Sequence, residues 1–234
     1  MKQQLRKLLP RPLLLLYNRL ISRRIIRHSL GSWFESDWKQ RAPALADRTW
    51  VEVYDRAWTN HPNHDLTAGD LSRIKAEIAP GWSVLDVGCG DGLLLSQLDA
   101  SASRLTGVDI SGAALRLAGS RISRAGLVQG FMEALPFRDG AFDAVITTHT
   151  LEHVKDLKRA VAELTRLARR RVVVLVPIQE YLPYTVDYHL HFFSDCDDLR
   201  RKLELPQARC EQYLIPPGEG QFSGAVMLMA LDLQ

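Results

Sequence analysis

Two carboxylates flank a run of alternating glycines in Asp86-Val87-Gly88-Cys89-Gly90-Asp91-Gly92, and a third acid, Asp109, follows seventeen residues after Gly92. Glycines here let a turn visit positive φ and let a ligand approach bare backbone. The acids set the charge of that ligand. Dinucleotide binders use Gly-x-Gly-x-x-Gly to present amides to an anionic pyrophosphate. Here the spacing is Gly-x-Gly-x-Gly, and Asp86 and Asp91 would oppose a phosphate. They suit a ligand carrying an ammonium and a sulfonium. Asp109 ends the apolar segment Leu105-Thr106-Gly107-Val108-Asp109, where an acid can accept hydrogen bonds from ribose hydroxyls. The pattern predicts a site for a cationic nucleoside.

Such a site needs strands to carry its residues. Val84–Val87 reads as a buried strand, the glycines as a tight turn, and Leu93–Leu98 as the first helix after it. Ligands of α/β folds sit outside the carboxyl ends of parallel strands. Ser111 is placed to cap a helix over 113–120. Ala144–Thr148 reads as the fourth strand, Leu157–Ala168 as a helix, and Val172–Val176 as a fifth strand buried on both faces. Ser194 is expected to cap a helix over 195–203. Two last strands, about 209–215 and 224–231, are joined by a Pro-Gly turn.

Val84 to Gly92, followed by Gly107-Val108-Asp109-Ile110-Ser111, resembles the class I S-adenosylmethionine-dependent methyltransferases. Two further blocks agree: Glu133-Ala134-Leu135-Pro136-Phe137, and Phe142–Ile146 leading to Leu151-Glu152-His153-Val154. The resemblance covers roughly residues 70 to 232. It implies an α/β, doubly wound, seven-stranded and mostly parallel sheet with one antiparallel edge strand. It also implies S-adenosylmethionine as the cofactor. The backbone around Gly88, Cys89 and Gly90 would meet the methionine moiety, and Asp86 its ammonium. Asp109 would hold the ribose, and Ile110 would pack on adenine. Family members commonly carry an Asp where this chain has Phe131; an aromatic cannot accept that bond but can stack on the purine. Met132 would offer backbone contacts, and Thr148 lies across the cofactor from the turn. His149 and His191 are the candidate bases, His191 having loop anchoring as its alternative. Glu152 and His153 occur with unrelated substrates in the family, which points to packing or a cofactor-side role. No metal is expected.

At 234 residues the chain fits one α/β domain with an extension. Three regions are expected: a basic amphipathic arm (1–30), an aromatic-rich helical cap (31–69) and the cofactor-binding domain (70–234). Residues 1–30 hold eight basic side chains and no acid, which leaves 22 basic against 27 acidic in the rest of the chain. Leu14, Tyr17, Ile21 and Ile25 make an apolar face opposite Arg19, Arg23 and Arg27. The arm is too short in apolar run to span a bilayer. It reads either as a lid helix on the domain or, over residues 12–28, as a helix lying on anionic lipid. Nucleic acid is not an expected partner, since the basic patch is short. The cap holds Trp33, Phe34, Trp38, Trp50, Tyr54, Trp58, His61 and His64, a composition suited to covering an apolar pocket. Cys89, Cys196 and Cys210 are too few and too far apart for a zinc site or a disulfide framework, and a reducing cytoplasm follows, with the membrane inner face as the arm's alternative. The expected activity is methyl transfer to a small, apolar or lipid-linked acceptor by in-line displacement. Its rivals are a non-catalytic S-adenosylmethionine-binding or scaffold protein and, third, a nicotinamide-dependent oxidoreductase.

Overall fold

The computed structural model describes residues 38–62, 65–181, 187–216 and 224–233. The arm, Trp33, Phe34, His64, the middle of the 180–194 loop and most of the Pro-Gly turn lie outside them. Strand β1 (Ser83–Val87) pairs in parallel with β2 (Arg104–Asp109) on one side and β4 (Phe142–Thr148) on the other. Beyond β2 lies β3 (Gly126–Gln129), and beyond β4 lies β5 (Ala168–Pro177), both parallel to their neighbours. The full order is β3-β2-β1-β4-β5-β7-β6. Strands β6 (Arg209–Leu214) and β7 (Ala225–Asp232) pair antiparallel, with β7 seated against β5. The antiparallel edge is therefore this hairpin. The chain winds leftward from β1 to β3, then returns to β4 on β1's other side, which opens a crevice at the carboxyl ends of β1 and β4.

Alternation along the strands divides the core between the two faces of the sheet. Leu85, Val87, Val145, Val172 and Val174 pack against helices α5 (Leu157–Leu167) and α6 (Cys196–Leu203). Val84, Ala144, Ile146, Val173 and Leu175 face the other way, onto α2 (Ala68–Ala76) and α3 (Leu93–Leu98). Helix α5 meets the sheet through Ala160, Val161, Leu164 and Leu167, the helical spacing of a single stripe. Helix α4 (Gly112–Arg121) begins at its cap Ser111, whose hydroxyl accepts from Ala114 N.

Two local expectations need correction. The cap of α6 is Asp195, whose carboxylate accepts from Asp198 N at 2.8 Å; Ser194 stands one residue outside, its N–H donating to the Asp198 carboxylate. A carboxylate at this position also meets the positive end of the helix dipole. Helix α2 opens on a reciprocal capping box between Thr67 and Asp70. Cys196 and Cys210 are disulfide-bonded, with Cα atoms 5.8 Å apart. A separation of 14 residues is no obstacle when the helix that opens with one cysteine packs on the strand that opens near the other. The cysteines thus no longer argue for a reducing compartment. Cys89 is free and buried. Among the described residues no helix is long and apolar enough to cross a membrane.

Helix α1 (Asp47–Asn60) follows a short helical turn around Pro43 and lies over the carboxyl ends of the strands. Three polar ties hold this segment to the sheet domain. Asp55 Oδ1 accepts from Ser111 Oγ at 2.7 Å and Ala113 N at 3.0 Å, adding a second cap to α4. Lys155 Nζ donates to Leu45 O and Asp47 Oδ1. Lys39 pairs with Asp187 at 2.6 Å.

Candidate active site at the carboxyl ends of the central strands

A cavity of about 630 Å³ opens where β1, β2, β4 and β5 end. Its floor is the glycine turn. Gly88 N and Cys89 N both donate to Val108 O, so the turn is sewn to the end of β2. Gly88 and Gly90 have φ of +80° and +52°, and neither tolerates a side chain. A Cβ on Gly88 would lie 2.2 Å from Thr150 Oγ1, and one on Gly90 would lie 2.8 Å from the Trp58 ring. The second contact is how the cap helix closes over the turn.

Asp86 stands at the end of β1 and is buried, and its Oδ1 has no hydrogen-bond partner among the described residues. Burial, and then the charge of Asp109, push its carboxyl up to about 8. Asp109 is raised to about 6, burial outweighing the N–H groups of Ser111 and Gly90 that it accepts. Two buried acids this close favour a cation between them. The orphaned Asp86 oxygen fits the ammonium of a sulfonium nucleoside, and the donor set does not suit a phosphate. Asp91, grouped with them in the sequence, also lines the cavity but spends its carboxylate on Arg121 and on Leu93 N, the first amide of α3.

The remaining expected contacts divide cleanly. Cys89, Ile110, Phe131, Met132 and Thr148 all line the cavity. Ile110 and Phe131 pack against the aromatic group of Trp38, Trp50, Tyr54 and Tyr188. Met132 reaches through to the core. Thr148 O accepts from Thr150 Oγ1, which sets the Thr150 side chain over Gly88.

His149 lines the cavity in an unusual conformation, φ +49°, with its N–H on Leu175 O. Its Nδ1 is 3.7 Å from Glu152 Oε1. Burial alone would lower its pKa, but the Glu152 carboxylate outweighs this and the ring is shifted upward. The pairing with Glu152 orients the His149 ring at the cavity wall, where it stays the expected candidate base. His191 needs correction. Its Nε2 lies 2.9 Å from Val154 O, and it does not line the cavity. It anchors the loop.

His189, two residues earlier, takes the place that His191 was expected to fill. It lines the cavity, burial holds it neutral with a pKa near 4, and its Nε2 is 4.0 Å from Glu152 Oε1. The reason is backbone pairing: Leu190 N and His191 N both donate to Glu152 O, which turns His189 inward and His191 away. In a regular extended run two histidines at i and i+2 would share a face, so the Tyr-His-Leu-His sequence does not announce this split. Glu152 is the hub of this wall. It is 1% exposed; burial alone would raise its carboxyl, but the His149 side chain leads the groups that hold it below the usual range.

A family model described as "Methyltransferase domain" matches residues 85–176. A ubiquinone biosynthesis O-methyltransferase of Xanthomonas axonopodis pv. citri is 31% identical over 148 residues, 59% of this chain and 60% of that protein. The chain thus spans about three fifths of the length of this curated relative. Among solved structures, a possible histamine N-methyltransferase from Thermotoga maritima superposes with a TM-score of 0.57 at 22% identity, covering 80% of this chain and 98% of that one. A putative methyltransferase from Bacillus halodurans gives 0.57 at 17% identity, over 70% and 99%. At these identities the structural matches establish the fold.

Proposed function

We propose that the protein is a class I methyltransferase that takes S-adenosylmethionine as its cofactor and methylates an oxygen of a small, apolar or lipid-linked acceptor, a reading supported by the methyltransferase-domain match over residues 85–176. The observation that carries this reading is the two-sided cavity. One side is the acidic glycine turn with the orphaned Asp86 oxygen, and the other is the aromatic cap with its histidine wall. Its volume lies within the ~300–1,000 Å³ usual for ligand sites. The Xanthomonas relative, named as an O-methyltransferase, supports an oxygen acceptor.

When bound, S-adenosylmethionine supplies a methyl group on a positively charged sulfur. The chain's part is alignment, since reacting atoms must be held ~3–3.5 Å apart with water excluded. Asp86 holds the ammonium, Asp109 the ribose, and the backbone of Gly88 to Gly90 the methionine portion. Ile110 and Phe131 flank the purine. Tyr54, Trp58 and Tyr188 keep water from the acceptor side. The test is calorimetry with S-adenosylmethionine, followed by labelled-methyl transfer to hydroxylated apolar acceptors with detection of S-adenosylhomocysteine. Binding without turnover on any acceptor would favour the scaffold reading. Phe131→Ala should weaken cofactor binding by roughly 3–10-fold, the value of a lost aromatic contact of ~0.5–1.5 kcal/mol; unchanged affinity removes Phe131 from the purine site.

The arm, in this reading, brings the domain to lipid through residues 12–28. Full-length protein should pellet with anionic vesicles in low salt and be released as salt rises. Equal retention of a variant with Arg19, Arg23 and Arg27 changed to Glu would leave the arm as a lid on the domain.

A further inference from the structure

We propose that Glu152, His153 and His189 bind one divalent first-row transition metal ion at the acceptor wall of the cavity. One donor atom from each of these three side chains lies within 4.8 Å of the other two. Glu152 is the strongest reason. It is buried, and neither Oε1 nor Oε2 meets a hydrogen-bond donor among the described residues. The nearest imidazole nitrogen, His149 Nδ1, stands 3.7 Å from Oε1, beyond hydrogen-bond length, so both carboxylate oxygens keep lone pairs that a bound cation would satisfy. His153 Nδ1 is likewise buried with no hydrogen-bond partner there. His189 is already prepared as a ligand. Its Nδ1 is 2.5 Å from Gln179 Oε1. An amide oxygen only accepts, so the proton sits on Nδ1 and Nε2 presents its lone pair toward Glu152. An outer partner that sets the tautomer is the usual support of a ligating histidine.

Two imidazoles and one carboxylate suit Zn²⁺, Fe²⁺ or Co²⁺ better than Mg²⁺ or Ca²⁺, which take oxygen shells. Bonds of ~2.0–2.2 Å require the donors to draw together by about 1 Å, a side-chain adjustment. The backbone favours that closure, because Leu190 N and His191 N bind Glu152 O at 2.6 and 3.0 Å. The loop with His189 is thereby fastened to the turn with Glu152 and His153. Three protein ligands leave positions open toward the cavity, which His153 and His189 line. Resting on the oxygen-acceptor reading above, an acceptor hydroxyl would occupy an open position, release its proton to solvent and be held as an oxyanion. Nothing in the linear spacing announces the site, since His189 lies thirty-six residues beyond His153.

Co²⁺ titrated into full-length, tag-free, metal-stripped protein, without S-adenosylmethionine, should bind at one site with visible absorption bands, and Zn²⁺ should displace it. Glu152→Gln and His189→Gln should each weaken Co²⁺ binding at least tenfold, by analogy with the ~10–100-fold losses seen even for outer-shell changes. Circular dichroism and retained S-adenosylmethionine binding by His189→Gln establish that the loss is local. Absence of heat and of visible bands with the wild type, or equal Co²⁺ affinity in both variants, overturns the proposal. The readout contains no methyl transfer, so its failure leaves the oxygen-acceptor reading standing, and failure of that reading leaves the metal result intact.

Discussion

Asp86→Asn should weaken S-adenosylmethionine binding by roughly 10–150-fold above pH 8, the value of a hydrogen bond to a charged group of ~1.5–3 kcal/mol, while making the empty protein more stable there. Both effects follow from one carboxyl. Burial, and then Asp109, hold Asp86 at about 8, far above the ~3.9 of an unfolded aspartate. A group raised in this way contributes its stability fully below the unfolded value and loses it as pH rises through the folded one. Thermal scans of the empty wild type should therefore fall behind those of Asp86→Asn as pH climbs from about 5 to 8. Binding reverses the preference, because an ammonium favours the carboxylate. The wild-type affinity should rise nearly tenfold per pH unit below about 8 and then level. Calorimetry at pH 7 in two buffers of different ionisation heat should show close to one proton released on binding. In Asp86→Asn that release should vanish, leaving only what Asp109, near 6, contributes at lower pH. Proton release unchanged by the substitution would remove Asp86 from the ammonium site.

The contrast between the two ends of the cavity shows what a sequence can announce. The glycine turn and its acids were legible because local chemistry dictates them. Gly88 and Gly90 must have no side chain, and Asp86 and Asp109 must end adjacent strands. The parallel strands were legible from their apolar runs, except β3, where Gly126-Leu127-Val128-Gln129 offers only two apolar residues and is recruited by pairing with β2. The histidine wall was not legible. Whether His189 or His191 faces the ligand depends on which amides reach Glu152 O, a contact between segments far apart in the chain. The disulfide escaped for the same reason, since its closeness comes from α6 packing on β6. Aromatics of the cap could be assigned to a lid by composition, yet the seating of Trp58 on Gly90 needs the whole domain in place.

Gly88→Ala should abolish cofactor binding and lower stability by about 2–5 kcal/mol, combining a strained left-handed residue with an overpacked contact. A second glycine separates the two causes. Gly81 shares the same φ of +80°, but a Cβ there meets nothing within 4 Å. Gly81→Ala therefore measures the backbone cost alone, about 1–2 kcal/mol, and should leave S-adenosylmethionine binding unchanged. At Gly88 the added methyl would also sit 2.2 Å from Thr150 Oγ1, 2.5 Å from its Cγ2 and 2.8 Å from its Cβ. Thr150 cannot simply turn aside, because its hydroxyl is held by Thr148 O at 2.9 Å. The turn must move instead, straining the bonds of Gly88 N and Cys89 N to Val108 O and of Gly90 N to Asp109. Those bonds set the cofactor floor, so binding fails with them. In Gly88→Ala/Thr150→Ala the Oγ1 and Cγ2 contacts disappear while the strain and the Cβ contact stay. That double variant should regain part of the lost melting temperature and little of the affinity. Should Gly88→Ala prove no more damaging than Gly81→Ala in both melting temperature and calorimetry, Thr150 does not press on the turn, and the floor of the site is looser than its geometry requires.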